Sequence, residues 1–303
     1  MQVKTIKKII TLKLEDWLQT ITDDKLRKKV KENILVSGGC ITSLFQNQPV
    51  NDYDVYIQDM EVLLELAKYY CPNDVLDGRK RDEYIKNDMD ELGFAYNQDS
   101  EIAIRKKNLK PDQVKLNIPS VGIRMVVTEG KKYQVAFLSQ NAISLTDDLQ
   151  IVLRFNGTAE QIHKTFDFIH ATNYFTFKDG LVTNIKALES IISKDLKYQG
   201  SLYPLTSIIR MKKFINRGWS INAGEMLKIM FQISELNLRD PEVLEEQLIG
   251  VDIAYFSILI DILRGTEQSK LSPHYLNEII DRVFNDFDNE EVTEDPLQIF
   301  NIL

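Results

Sequence analysis

Only two cysteines occur in the 303 residues, Cys40 and Cys71, and neither has a second cysteine at C-x-x-C spacing or a histidine beside it. That excludes a disulfide framework and a thiolate zinc site, so both thiols are expected to be reduced and structural. Histidine is equally scarce, at three residues. No run of about 18 uncharged apolar residues exists to span a bilayer, and charges interrupt the apolar residues of the opening MQVKTIKKIITLKLEDW. Neither a membrane helix nor a signal peptide is expected, no membrane partner is implied, and the chain reads as cytoplasmic. Internal repeats and DNA-specific motifs are absent as well.

What is present is ordinary globular material, 44% hydrophobic and 27% charged, which rules out disordered and collagen-like classes. A chain of this length buries roughly three quarters of its unfolded surface and commonly divides in two. The net charge of −8 is unevenly spread: residues 232–303 hold 16 acidic and 4 basic side chains, and residues 1–231 hold 29 acidic and 33 basic. A nucleic-acid partner would therefore use residues 1–231, where phosphate meets net positive charge.

The pattern along the chain indicates an α+β front and a helical back. Residues 13–32 carry apolar side chains at helical spacing, ILVSGG is a short strand ending in glycines, DYDVYI alternates as a strand, and MEVLLELAKYYC is a helix,. Residues 72–119 are charged and weakly periodic and read as an insertion. Two strands joined at Glu129-Gly130 and a third, LQIVLRF, complete a mixed sheet of about five strands. Thr158 and Gln161 form a capping-box signature, so one helix is expected over 158–173, with His163 and His170 on one face in packing or hydrogen-bonding roles. From Asn184 onward the pattern is helical. The division is expected near residue 175, giving a head at 1–175 and a helical neck and body at 176–303 with an acidic end.

Chemistry concentrates in Gly38-Gly39-Cys40-Ile41-Thr42-Ser43 and in Asn51-Asp52-Tyr53-Asp54. A glycine pair after a strand lets backbone approach phosphate closely, and a following helix start favours negative charge. Alternation along a strand points Asp52 and Asp54 to one face and Tyr53 to the other. Two adjacent carboxylates repel unless neutralised, which Mg²⁺ or Mn²⁺ does through oxygen ligands. The two halves together suggest a triphosphate site with metal-binding carboxylates Asp52 and Asp54.

These residues resemble the polymerase-β-like nucleotidyltransferases, within them the bacterial-type CCA-adding enzymes and poly(A) polymerases, whose pattern is G-G-x-V-R-D followed by D-x-D. Further blocks follow in the same order. VGIRMVVTEGKKYQVAFLS resembles the paired strands ending in Y-E-V-T-T-F-R, KTFDFIHATNYFTFKDGLV resembles R-R-D-F-T-I-N-A followed by a glycine hairpin, and YPLTSIIRMKKFINRGWSI resembles the neck motif beginning E-D-P-x-R. The resemblance covers residues 33–225 apart from the insertion, and the shortened arrangement is also similar to phage-encoded nucleotidyltransferases. It implies a nucleotidyltransferase head, a helical neck, and transfer of a nucleoside monophosphate from NTP to a hydroxyl such as an RNA 3′ end, with Mg²⁺ or Mn²⁺ as cofactor. By the same resemblance Thr42 and Ser43 join Gly38 and Gly39 at the triphosphate, Lys164 and Arg210 supply positive charge, Asp167 matches the family aspartate after a one-residue shift, and Tyr203 stacks on the base.

The departures shape the expected function. Thr42 and Ser43 stand for Arg-Asp, and Gln134 stands where Y-E-V carries a third acid. Leu202, Tyr203 and Thr206 replace the Glu, Asp and Arg that read bases in the family, so ordered CCA addition is not expected. Two alternatives stay open: an inactive nucleotidyltransferase-like binding module, and a nucleotidyltransferase acting on a protein or small molecule.

Overall fold

A computed structural model describes residues 1–71, 122–247 and 262–266, together with Val114, Leu116, Ile118 and positions 274, 275, 277, 278, 280 and 281. Most of the stretch read as an insertion at 72–119, most of the apolar run 253–264 and the acidic run after 285 lie outside the described residues.

Local chemistry places the helices. Along α1 (Val3–Thr20), Ile6, Ile10, Leu14 and Trp17 recur every three or four residues and are fully buried, the stripe that an amphipathic helix turns toward a core. Asp23 begins α2 (Asp24–Asn33) by accepting the amides of Lys25 and Leu26 at 2.9 and 3.1 Å. Asp59 begins α4 (Met60–Tyr70) in the same way through Glu61 and Val62, satisfying amides that have no helical partner. The Trp17 indole donates to the Tyr70 hydroxyl at 2.8 Å and ties α1 to α4. Burial pushes that hydroxyl up to about 12, so it stays protonated.

The strands are β1 (Ile34–Ser37), β2 (Tyr53–Ile57), β3 (Ile123–Arg124), β4 (Val135–Leu138), β5 (Ala142–Leu145), β6 (Leu149–Val152), β7 (Tyr174–Thr176) and β8 (Gly180–Val182). Among the described residues they form one eight-stranded sheet in the order β3-β4-β5-β6-β2-β1-β7-β8, antiparallel except for the β2–β6 pair. The sheet is wider than the sequence suggested, by β5 and the β7–β8 hairpin. Strands of three or four residues are too short to display an alternation. Ile34, Val36, Val55 and Ile57 join the main core with Trp17, Ile41 and Leu63, while Leu35 and Tyr56 join a smaller cluster with Val152 and Ile162.

The single helix expected over 158–173 is two pieces. Thr158 and Gln161 do form the capping box of α5 (Ala159–His163), but the helix stops there and a 3₁₀ turn follows at Ile169–Ala171. Thr165 donates its hydroxyl back to the Ile162 carbonyl at 2.7 Å, a local bond that competes with helix continuation. His163 and His170 therefore sit on separate elements.

The chain divides into two compact units, Met1–Ser193 and Lys194–Leu303, where the sequence pattern suggested a division near 175. The β7–β8 hairpin belongs to the first unit because β7 pairs with β1, and α6 (Ile185–Ser193) packs on the 3₁₀ turn of the same unit. In the second unit α7 (Pro204–Asn216) packs against α8 (Ala223–Ser234) and α9 (Pro241–Gln247). Buried Glu225 fastens the segment before α7 to α8, accepting the Tyr198 amide at 2.8 Å and the Lys228 ammonium at 2.7 Å. Among the described residues no helix is long and apolar enough to cross a membrane.

Leu14 has no exposed surface and Leu12, on the same helix, is 55% exposed. Leu14→Ala is expected to destabilise the first unit by about 2–5 kcal/mol through lost burial and a residual cavity, and Leu12→Ala by less than about 0.5 kcal/mol. Urea denaturation followed by Trp17 fluorescence measures both.

Candidate active site

The site is built where β1 ends. All four β1 residues are buried, and after Ser37 the chain turns at Gly38 with φ 98°, a left-handed value that favours glycine,. The turn leads into α3 (Gly39–Phe45), whose first amides receive no side-chain cap from Gly38. The Gly38 amide itself donates to the Ala171 carbonyl at 3.1 Å. Gly39 is exposed, and a β-carbon built on it would meet nothing within 4 Å.

β2 returns antiparallel to β1, pairing Leu35 with Tyr56 and Val36 with Val55. Continuing that register sets Ser37 opposite Asp54. A β-carbon built on Gly38 would lie 3.4 Å from Asp54 Oδ2, so turn and carboxylate are in contact range. Asp54 is half-buried, Asp52 just before the strand is exposed, and Tyr53 between them is buried in the main core. Alternation thus separates the two acids from Tyr53 as the sequence pattern required. Cys40 is buried beside them. Burial first, then the Asp54 and Asp52 carboxylates, push its thiol well above the ordinary value, so it stays protonated.

The neighbour of Asp54 on the other side is not Gln134, the residue that stands for the acid of Y-E-V. β2 pairs with β6, which sets Gln150 beside Asp54. Gln134 precedes β4, which β5 and β6 separate from β2. Its side chain accepts the Thr128 amide at 2.9 Å and donates to the Thr128 and Lys131 carbonyls at 2.7 and 2.6 Å, holding the turn before the strand. Sequence order alone carries no signal for Gln150, because the parallel pairing that selects it joins residues almost a hundred positions apart. Asp147 and Asp148 occupy the β5–β6 turn with φ of 61° and 54°. The Asp148 carbonyl accepts the Tyr53 amide at 2.8 Å, and an Asp147 carboxylate oxygen accepts the Tyr133 amide at 3.1 Å. Among the described residues no group of three or more Asp, Glu, His or Cys side chains is gathered for a metal ion.

The other sequence candidates are distributed as follows. Thr42 is buried and its hydroxyl donates to the His170 carbonyl at 3.1 Å, while Ser43 is half-buried on α3. Lys164 is exposed and pairs with Glu160 at 3.1 Å. Asp167 is buried, and its Oδ1 accepts the amide of Phe168 at 3.0 Å. Tyr203, buried before the start of α7, and Arg210, half-buried within α7, belong to the second unit. Leu202 there is exposed, and the fully buried Thr206 hydroxyl donates to the Gln247 carbonyl.

The histidines pack and hydrogen-bond as expected, but the partner of His163 was not legible in the sequence. His163 Nε2 lies 2.9 Å from Ser37 Oγ, and His170 is 2% exposed with its ring stacked on Phe168. Burial lowers both to about 4, opposed at His170 by the Asp167 carboxylate. A histidine held lower in the folded state than unfolded stabilises the fold fully above the unfolded value of about 6.5, and that contribution is lost as pH falls toward the folded value. The first unit is therefore expected to lose stability between pH 6.5 and 4, by about 2–3 kcal/mol from His170. His170→Phe should flatten that part of the profile in denaturant titrations across the window.

Comparison with known proteins adds the family. The family model described as Gabija anti-defense 2 family protein matches residues 8–194, more than half of the chain. A curated relative, "Gabija anti-defense 2" of Bacillus phage SPbetaL7, is 22% identical over 286 residues, covering 92% of this chain and 56% of that protein. The chain thus spans little more than half the length of the relative. Similar solved structures include the Bacillus stearothermophilus CCA-adding enzyme in complex with CTP, at 11% identity, TM-score 0.38 and coverage of 82% of this chain and 51% of that one. The Thermotoga maritima CCA-adding enzyme complexed with tRNA is similar at 15% identity, TM-score 0.36 and coverage of 91% and 62%. By the match across its first unit, the chain belongs to the Gabija anti-defense 2 family.

Proposed function

We propose that this chain is a divalent-cation-dependent nucleotidyltransferase that moves a nucleoside monophosphate from NTP to a hydroxyl, with an RNA 3′ end as the first acceptor to consider. The observation that carries this is the Gly38 turn set against the Asp54 carboxylate, with Asp52 two residues away, exposed just before β2. The relative's name points to the Gabija system, and we read nucleotidyl transfer onto a component or product of that system as the means by which this chain acts against it.

The donor set suits a hard cation. Mg²⁺ is commonly held by one or two carboxylates together with water and substrate phosphates, not by an all-protein cage, and Asp52 and Asp54 supply that number. When bound, the ion lowers the pKa of the acceptor hydroxyl and offsets charge on the leaving pyrophosphate. The chain's own residues do the rest. Gly39 leaves the backbone at the start of α3 open to phosphate, and the Ser43 hydroxyl lies one turn further along. Among the described residues Lys164 is held by an exposed pair with Glu160, 71% and 81% exposed, and such pairs contribute little, which leaves the ammonium accessible to a triphosphate. Asp167, buried on the 163–168 segment, is the remaining nucleotide-binding candidate of the first unit, and Tyr203 and Arg210 belong to the second unit. RNA would be gripped by residues 1–231, where basic side chains outnumber acidic ones,.

One observation favours a second reading. Gln150, not an acid, stands beside Asp54, which suits a module that binds nucleotide or RNA without turning it over.

Asp52→Asn and Asp54→Asn are each expected to lower transfer by at least about a hundredfold while leaving the melting temperature unchanged or slightly raised, because like-charge repulsion is relieved. The assay incubates the protein with Mg²⁺ or Mn²⁺, each labelled NTP, and RNA or host protein extract, and separates the products on a gel. Label on RNA supports the first acceptor and label on protein the other class. Cation-dependent NTP binding with no labelled product establishes the inactive module instead.

A further inference from the structure

The end of β1 is held by a buried hydrogen-bond cluster that no motif indicated. Ser37 Oγ, with no exposed surface, lies 2.8 Å from the Asn173 carbonyl, 3.1 Å from the Ala171 carbonyl and 2.9 Å from His163 Nε2. A hydroxyl has one hydrogen, and carbonyls only accept. That hydrogen serves the carbonyls, with Asn173 the nearer. The imidazole nitrogen must then be the donor, since two lone pairs facing each other at 2.9 Å would repel. The ring is fixed from the side by Phe166 and Tyr174, with centroids at 5.3 and 5.7 Å, and Phe166 rests in turn against Tyr56 of β2 at 6.1 Å.

We propose that His163 is a positioning residue: as the Nε2–H tautomer it donates to Ser37 and anchors the Gly38 turn against Asp54. The Ala171 carbonyl links the two ends of the device, because it faces both the Ser37 hydroxyl and the Gly38 amide. Thr42 draws the other side of the turn onto the same segment through the His170 carbonyl. With His163 lowered to about 4 by burial, the ring is neutral at physiological pH and a single tautomer persists. The consequence for turnover rests on the nucleotidyl-transfer reading; the tautomer and the anchoring stand on geometry alone.

Three variants of the full chain test this. His163→Leu keeps bulk and removes the donor, His163→Gln keeps an Nε2–H at similar reach, and Ser37→Ala removes the same bond from the other side should His163→Leu fail to fold. In ¹⁵N-histidine NMR at pH 7 the wild type should show Nε2 protonated and Nδ1 not. Hydrogen exchange of the Gly38 amide should quicken about tenfold in His163→Leu or Ser37→Ala, the equivalent of one lost hydrogen bond, and stay near wild type in His163→Gln. In transfer assays the donor-less variant should raise KM for NTP about tenfold and leave kcat within about threefold, with His163→Gln again near wild type. An Nδ1–H tautomer, unchanged Gly38 exchange in both donor-less pairs, or a His163→Gln variant as impaired as His163→Leu overturns the proposal. A wild type that transfers no nucleotide overturns the functional reading instead, and the tautomer and exchange measurements still decide the anchoring.

Discussion

The antiparallel pairing of β1 with β2 is the constraint on which the site depends. It brings the Gly38 turn and the Asp54 carboxylate together across α3 and its loop, so closely that a β-carbon built on Gly38 would lie 3.4 Å from Asp54 Oδ2. The pairing is sustained from both faces. Val36 and Val55 lock one face into the main core beneath α1 and α4, and Leu35 and Tyr56 lock the other against Val152 and Ile162. A slip of one residue would exchange the two faces along the whole strand, turning Asp54 toward the main core and Tyr53 away from it. Register, and through it the placement of Asp54, is therefore set by hydrophobic burial, while the polar cluster around Ser37 fixes the turn at the end.

That cluster also explains why a polar serine and a histidine sit where apolar residues would pack more simply. A buried hydroxyl is tolerated only when it is bonded, and Ser37 has three polar neighbours contributed by α5, the 3₁₀ turn and the start of β7. The break in the helix after His163 makes this possible. A continuous helix over 158–173 would carry its carbonyls along its own axis, satisfied internally. The broken segment leaves the His170, Ala171 and Asn173 carbonyls free to accept from Thr42, Gly38 and Ser37.

Much of this was legible in the residues. The strand ending in Gly38-Gly39, the alternation of Asp52, Tyr53 and Asp54, the helical spacing from residue 13 onward and the capping box at Thr158 all rest on local patterns, and the structure holds each of them, with α1 starting ten residues earlier at Val3. What was not legible depends on partners distant in sequence. The choice of β6 as neighbour of β2 makes Gln150, not Gln134, the residue beside Asp54, and nothing local in either segment reveals it. The pairing of β7 with β1 draws the hairpin into the first unit. His163 and His170 suggested one helix face only because the helix was assumed continuous, and Thr165, whose hydroxyl turns back on Ile162, is the one local sign that it is not.

On the proposed function, Asp52 and Asp54 would hold a divalent cation that brings a triphosphate to the Gly38–Gly39 turn. The most direct measurement is a crystal of the protein grown with Mn²⁺ and a non-hydrolysable NTP, with anomalous scattering used to locate the ion. The account predicts an anomalous peak within coordination distance of both carboxylates, with the triphosphate running toward Gly39 at the start of α3. A peak elsewhere, or nucleotide bound with no ion at Asp52 and Asp54, would contradict it.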